Sequence, residues 1–252
     1  MTKLSVNLNK VALLRNQRDI GYPDLAEHAQ LVLEAGASGL TIHPRPDERH
    51  IRYSDVALIG KALDDFGDEA REFNIEGYPD AKFLELVCAS TCDQVTLVPD
   101  PPHAKTSDAG WNIRDNHALL LKVIGQLKDA KKRVSLFIDP DAEIAREAYD
   151  IGADRVELYT GPYAFAHLKG EAETILPAYK RAGEQAHDLG MGVNAGHDLN
   201  LDNLEWFLDE LPYTAEVSIG HAITDDALKY GWARTVALYG TLCSKKRRWL
   251  AA

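Results

Sequence analysis

Short runs rich in β-branched and aromatic residues alternate with amphipathic stretches of helical period from one end of the chain to the other. The strand-like runs fall at 4–7, 39–43, 72–76, 94–98, 134–138, 155–158, 192–195 and 216–219. Between them the helical period covers 24–35, 54–66, 81–90, 116–129, 141–151, 172–189, 201–211 and 224–239, with Asp, Ser or Thr opening several of the stretches. This alternation predicts parallel strands joined by right-handed crossovers. A recurring unit is also visible at Ala35-Gly36-Ala37, Ile151-Gly152-Ala153 and Leu189-Gly190-Met191, where glycine ends a helix shortly before a strand. Eight such units close naturally into a (β/α)8 TIM barrel, an α/β fold expected to form one catalytic domain over 1–252. A doubly wound open sheet is the alternative, because periodicity does not disclose strand order.

Composition narrows the classes of function. The formal charge of −11, from 28 Lys and Arg against 39 Asp and Glu, argues against non-specific binding to nucleic acid. Small anions remain suitable ligands where positive charge is concentrated locally. The basic run Lys245-Lys246-Arg247-Arg248 reads as a solvated helix end. No apolar run reaches the length needed to cross a bilayer and no signal-peptide core opens the chain, so a cytoplasmic protein without a membrane partner is expected. The three cysteines fit that compartment: Cys88 and Cys92 stand four apart on a predicted helix, Cys243 lies far away, and buried thiols are expected.

In a barrel of this kind the active site lies at the C-terminal ends of the strands. Those ends are polar throughout: Asn7, His43 with Arg45, Glu76, Asp139, Glu157, Asn194 with His197, and Gly220-His221. Taken singly, each has an ordinary reading as a cap or a loop charge. Together they would be costly to desolvate unless they bind a ligand or exchange protons, which is what general acid–base chemistry needs. The segments 194–198 and 218–224 place glycine where backbone N–H groups can meet phosphate and then start helices, after strands seven and eight. A second cationic group, Arg45, Arg49, His50 and Arg52, suits another phosphate. Two anion sites imply two phosphorylated substrates or one bisphosphate. The long connection from Pro99 to Asn112 is expected to serve as a lid.

The motifs SVNLNKVALLRNQR at 5–18, TIHPRPDERHI at 41–51, NIE at 74–76, LVP at 97–99, SLFID at 135–139, VELYTG at 156–161, VNAGH at 193–197 and IGHA at 219–222 stand in one order along the chain. In these the chain resembles the pyridoxine 5′-phosphate synthase family over nearly its whole length. The resemblance implies condensation of 1-deoxy-D-xylulose 5-phosphate with 3-amino-2-oxopropyl phosphate to pyridoxine 5′-phosphate, inorganic phosphate and water, in the deoxyxylulose-dependent route to vitamin B6. It implies His43 and Glu76 as proton acceptors, His197 as proton donor and Glu157 as a group that stabilises transition-state charge. By the same pattern Asn7, Arg18, Asp198, Gly220 and His221 would hold the amino-ketone phosphate. Asn9, Lys10, Arg45, His50 and Thr106 would hold the pentulose phosphate. No metal or organic cofactor is implied, and the assembly expected is a homo-octamer.

The chain departs from the pattern of many members in having Asn9-Lys10 for Asp-His, Asp198 for Gly, and Thr106-Ser-Asp-Ala-Gly110 for Thr-Thr-Glu-Gly-Gly. An amide and an ammonium can bind phosphate but cannot exchange protons near neutral pH as a carboxylate–imidazole pair does. Rival readings are a Schiff-base barrel, for which only Lys10 lies near a strand end, and a metal-dependent hydrolase, for which HxH and HExxH pairs are lacking. A non-catalytic phosphosugar-binding barrel is the alternative from another class, and it would not require His43, Glu76, Glu157 and His197 together.

Overall fold

The computed structural model describes residues 1–67, 71–100 and 107–246. Its strands are β1 (Lys3–Asn7), β2 (Gly39–Ile42), β3 (Glu72–Gly77), β4 (Gln94–Leu97), β5 (Arg133–Ile138), β6 (Arg155–Tyr159), β7 (Gly192–Gly196) and β8 (Thr214–Ile219). They form a closed barrel in chain order, every neighbouring pair parallel, with β8 returning to β1 through Leu4↔Val217. Closure excludes the open sheet.

Around the barrel run α1 (Asn9–Arg15), α2 (Leu25–Glu34), α3 (Tyr53–Phe66), α4 (Ala81–Ala89), α5 (His117–Asp129), α6 (Ala142–Asp150), α7 (Gly161–Leu168), α8 (Ala172–Asp188), α9 (Leu204–Glu210), α10 (His221–Tyr230) and α11 (Trp232–Ser244). The capping signals in the sequence act as such. Asp24, Asp80 and Asp141 accept from the backbone N–H groups of Glu27, Phe83 and Glu143. The structure differs from the expected pattern in three places. Helices α1 and α7 are too short to show a period, and the single stretch expected at 224–239 is two helices broken at Gly231. Cys92 lies beyond the end of α4 rather than on it; Cys92 and Cys243 are buried and Cys88 is partly so. Among the described residues no helix is long and apolar enough to cross a membrane.

Strand alternation divides the barrel into a dry jacket and a polar lumen. Leu4, Val6, Leu40, Ile42, Phe73, Ile75, Val95, Leu97, Val156, Leu158 and Val217 pack outward with helix residues such as Val32, Ile59, Val87, Leu127 and Tyr179 in one apolar cluster. The intervening positions are polar and buried: Ser5, Thr41, Asn74, Gln94, Thr96, Ser135, Glu157, Asn194 and Glu216. Hydrogen bonds link them across strands, Ser5 with Thr41 at 2.7 Å, Asn74 to Thr41 at 3.4 Å and Thr96 to Asn74 at 3.0 Å.

At the N-terminal end of the lumen four ionisable groups meet. Arg133 pairs with Glu72 at 2.5 Å, while Arg155 lies 3.8 Å from Glu216 and donates to Asn194 at 2.9 Å. Burial opposes ionisation of Glu72, but a hydrogen bond from Glu216 and the guanidiniums of Arg133 and Arg155 outweigh it and lower its pKa. Burial, and then the charge of Glu72, push Glu216 well above the ordinary carboxylate range. One proton therefore sits between the two carboxyls, on Glu216, with Glu72 ionised against Arg133.

Removing one partner of a buried pair leaves the other uncompensated. Arg133→Met is therefore expected to lower unfolding stability by about 3 kcal/mol, read from the urea midpoint at neutral pH. A loss under about 0.5 kcal/mol, the usual range for surface changes, would show that the lumen ion pair contributes nothing to the fold.

Candidate active site

The C-terminal strand ends surround a cavity of about 440 Å³. Asn7, Asn9, Lys10, His43, Arg45, His50, Glu76, Glu157, His197, Asp198, Gly220 and His221 all line it, so twelve of the residues singled out in the sequence are brought together. Arg18 is not among them: it is exposed, in the turn beyond α1. Thr106 lies outside the described residues, as do residues 101–106 of the connection from Pro99 to Asn112 expected to serve as a lid. A larger groove of about 600 Å³ runs between α3 and α4, but it lies outside the barrel and its ionisable lining, Lys61, Asp64, Lys82 and Glu85, belongs to helix faces rather than strand ends.

Strands β3 and β6 drive two carboxyl groups into the floor of the cavity. Burial, reinforced by Asp100, pushes Glu76 up to about 8, against the opposing influence of Arg45 and a hydrogen bond from Asn7. Burial and then Glu76 itself push Glu157 well above its ordinary value, and Oε2 of Glu157 has no hydrogen-bond partner among the described residues. Room for that carboxyl is made by Gly196, where a Cβ would come within 2.3 Å of Glu157 Oε1. His43 shows the opposite shift: burial and then Arg45, His50 and Arg49 hold it well below 6.5. Its Nδ1 lies 3.8 Å from Glu76 Oε2, beyond a direct hydrogen bond. Near neutral pH the cavity floor thus carries two protonated carboxyls beside an uncharged imidazole, a set able both to give and to take protons.

The flanking groups suit anions. Helix α10 opens at Gly220 without a side-chain cap, and a Cβ there would crowd Asn7 at 3.1 Å. Its first N–H groups, with His221 and Lys10 alongside, form one positive end. Arg45, Arg49 and His50 line the same cavity as a second cationic group, within electrostatic reach of Lys10. Burial, then Arg45 and Lys10, lower His50 to about 4, and its Nδ1 accepts from the Ile51 N–H at 2.9 Å. The neutral ring therefore carries its proton on Nε2 and offers a donor. Arg45 is paired with Asp100, which also accepts from Ser107 at 2.7 Å.

Several supporting residues escaped the sequence reading. Arg15 grips Asp55 with two bonds of 2.8 and 2.9 Å, tying α1 to α3. Asn16 donates to the carbonyls of Glu48, Arg49 and His50, which fixes the loop carrying the second cationic group. Asn9, expected to hold substrate, has its side-chain oxygen committed to the His43 N–H at 2.9 Å. Asn194, a strand-end candidate, belongs instead to the Arg155–Glu216 layer below the cavity. No local motif reports such long-range partners. The connection after β4 is secured at its far end by Trp111, whose indole donates to the Leu97 carbonyl at 2.9 Å and stacks on Tyr78.

Comparison with known proteins gives a consistent result. The family model described as pyridoxal phosphate biosynthesis protein PdxJ matches residues 4–245. A pyridoxine 5′-phosphate synthase of Rhizobium meliloti (strain 1021) is 51% identical over 246 residues, covering 96% of this chain and 98% of the relative. One of Chelativorans sp. (strain BNC1) is 51% identical over 245 residues, again covering 96% and 98%. Among solved structures, tryptophan synthase from M. tuberculosis superposes with a TM-score of 0.62 at 14% identity, covering 96% of this chain and 92% of that one. A mutant tryptophan synthase alpha-subunit from Pyrococcus furiosus gives 0.61 at 13%, covering 96% and 95%. These structural likenesses carry the fold alone.

The raised carboxyls make stability fall with pH. The folded state keeps a proton on Glu76 up to about 8 that the unfolded chain releases near 4.5. Ionisation therefore favours unfolding as pH rises through that interval. Below 6.5 the depressed His43 and His50 act in the opposite sense, so the clean window is pH 6.5 to 8. Urea midpoints are expected to fall across this window, and Glu76→Gln is expected to recover roughly 1 to 2 kcal/mol of the drop. An unchanged slope in the variant would mean that Glu76 is already ionised in the fold.

Proposed function

This chain belongs to the family of the pyridoxal phosphate biosynthesis protein PdxJ, and on that premise we propose that its cavity joins two phosphorylated substrates by proton transfers among its own side chains. The activity is pyridoxine 5′-phosphate synthesis: 1-deoxy-D-xylulose 5-phosphate and 3-amino-2-oxopropyl phosphate give pyridoxine 5′-phosphate, inorganic phosphate and water. The observation that carries the site reading is the convergence of Glu76, Glu157 and His43 on the cavity floor, where burial disfavours the charged form of each. A binding protein gains nothing from holding two carboxyls protonated at a cost in stability, whereas imine formation, dehydration, phosphate loss and ring closure each move a proton at a different atom.

In this reading His43 accepts a proton directly. Glu76 enters the cycle protonated and accepts only after giving its proton up, so it serves as acid before it serves as base. His197 donates, and Glu157, whose Oε2 is left without a hydrogen-bond partner among the described residues, stabilises the charge that develops in the transition state. The N-terminus of α10 with Asn7, Gly220 and His221 takes one phosphate, and Lys10, Arg45 and His50 take the other. For Arg45 to do so, the incoming phosphate must share or displace Asp100. Arg18 and Thr106 complete the proposed binding set by family pattern, with the whole chain acting as one domain. The proposed assembly is a homo-octamer; a light-scattering mass of one chain would overturn that part alone.

Purified protein given both substrates and no added cofactor is expected to form pyridoxine 5′-phosphate and free phosphate in equal amounts. Glu76→Gln should keep the fold and the binding of inorganic phosphate while turnover falls about 100-fold or more. Full turnover in Glu76→Gln would remove Glu76 from the chemistry. Binding of both substrates without product would favour a non-catalytic phosphosugar-binding barrel.

A further inference from the structure

Strand β7 delivers the chain into two consecutive left-handed residues, His197 at φ 90° and Asp198 at φ 60°. Such conformations are costly for residues with a Cβ, though Asp tolerates them better than most, and they persist only where the surroundings hold them. Here two side chains do so. The Thr160 hydroxyl lies 2.7 Å from the Gly196 carbonyl and 2.5 Å from that of His197, and Asn203 Nδ2 donates to the Asp198 carbonyl at 3.2 Å. What the strained turn achieves is local: it folds neighbouring side chains together, with His197 Nδ1 2.8 Å from Asp198 Oδ2. The imidazole is held on another side by Tyr159, edge-on at 5.2 Å between ring centroids.

The protonation of the pair follows from its partners. The hydrogen bond from His197 lowers the Asp198 pKa; burial opposes it, and the charges of His197, His221 and Lys10 add to the lowering. An ionised carboxylate only accepts, so His197 Nδ1 carries the hydrogen and the opposite nitrogen, Nε2, is left for chemistry. We propose that Asp198 is a positioning residue for His197, fixing its tautomer and ring orientation and stabilising the imidazolium whenever Nε2 holds a proton. The proposal rests on the reading of His197 as a proton-transferring group. It replaces the assignment of Asp198 as a phosphate ligand, because a carboxylate beside Lys10 and His221 repels a phosphate and competes with it for the same partners.

That competition separates the two roles experimentally. Loss of a phosphate ligand raises KM, whereas loss of this positioning residue lowers kcat and leaves KM for the phosphorylated substrates unchanged or lower. Asp198→Gly and Asp198→Asn both suit a φ of 60°, so neither strains the turn. Steady-state kinetics with both substrates should show kcat falling by about 10- to 100-fold in Asp198→Gly, by analogy with the loss on removing the partner that orients a metal-bound histidine. The fall should be smaller in Asp198→Asn, which keeps an acceptor. In the ligand-free protein, imidazole ¹⁵N shifts, assigned by the signals missing from His197→Asn, should show the Nδ1–H tautomer of His197 in the parent and a mixture with Nε2–H in Asp198→Gly. An unchanged kcat with an unchanged tautomer overturns the proposal, and so does a raised KM at constant kcat. Should His197→Asn turn over at the parental rate, both this inference and the role given to His197 fall; if it is inactive while Asp198→Gly is fully active, this inference falls alone.

Discussion

Charge enclosed in a barrel lumen must be matched there, since water cannot solvate it as it does at a surface. This constraint governs the molecule from one end of the barrel to the other. At the N-terminal end it is met by pairing: Arg133 faces an ionised Glu72, and Arg155, whose own pKa is lowered by burial, faces Glu216 and donates to Asn194. At the C-terminal end it is left unmet by fixed charge. Glu76 and Glu157 meet it by keeping their protons and His43 by refusing one. The same physics that stabilises the lower layer thus turns the upper one into a reservoir of transferable protons.

The two layers are linked by strand register. Glu72, Asn74 and Glu76 succeed one another on the inner face of β3, as Arg155, Glu157 and Tyr159 do on β6. The outer faces carry Phe73 with Ile75 and Val156 with Leu158. A slip of one residue would drive carboxylates into the apolar jacket and aliphatic side chains into the lumen. Jacket adhesion, ladder pairing and lumen hydrogen bonds therefore specify one register together, and that register aims the functional groups at the mouth.

Much of this was legible in the sequence. Strand runs with polar ends sufficed to bring His43, Glu76, Glu157, His197 and Gly220 into one cavity, because the end of each parallel strand reaches the same face. The inner polar alternation, Ser5 with Asn7 or Asn74 with Glu76, was equally present, but reading strands by their apolar content passes over it. Other features depend on partners distant in the chain. Arg15 finds Asp55 forty residues away, and Asp198 is set against His197 by a turn whose left-handed φ no sequence period reports. Helices α1 and α7, of seven and eight residues, are held by packing at the barrel mouth rather than by their own period. Arg18, assigned by motif, is exposed in the turn beyond α1 and does not line the cavity.

The hydrogen-bonded lumen also shapes how such a sequence can change. Ser5, Thr41, Asn74 and Thr96 form a chain in which each group satisfies the next. A single polar-to-apolar replacement strands the neighbour, and only a compensating second change restores the balance. In the jacket, aliphatic side chains of similar volume exchange almost independently. Divergence in this barrel is therefore uneven: outer positions drift one at a time, while inner positions are epistatic and move in concert.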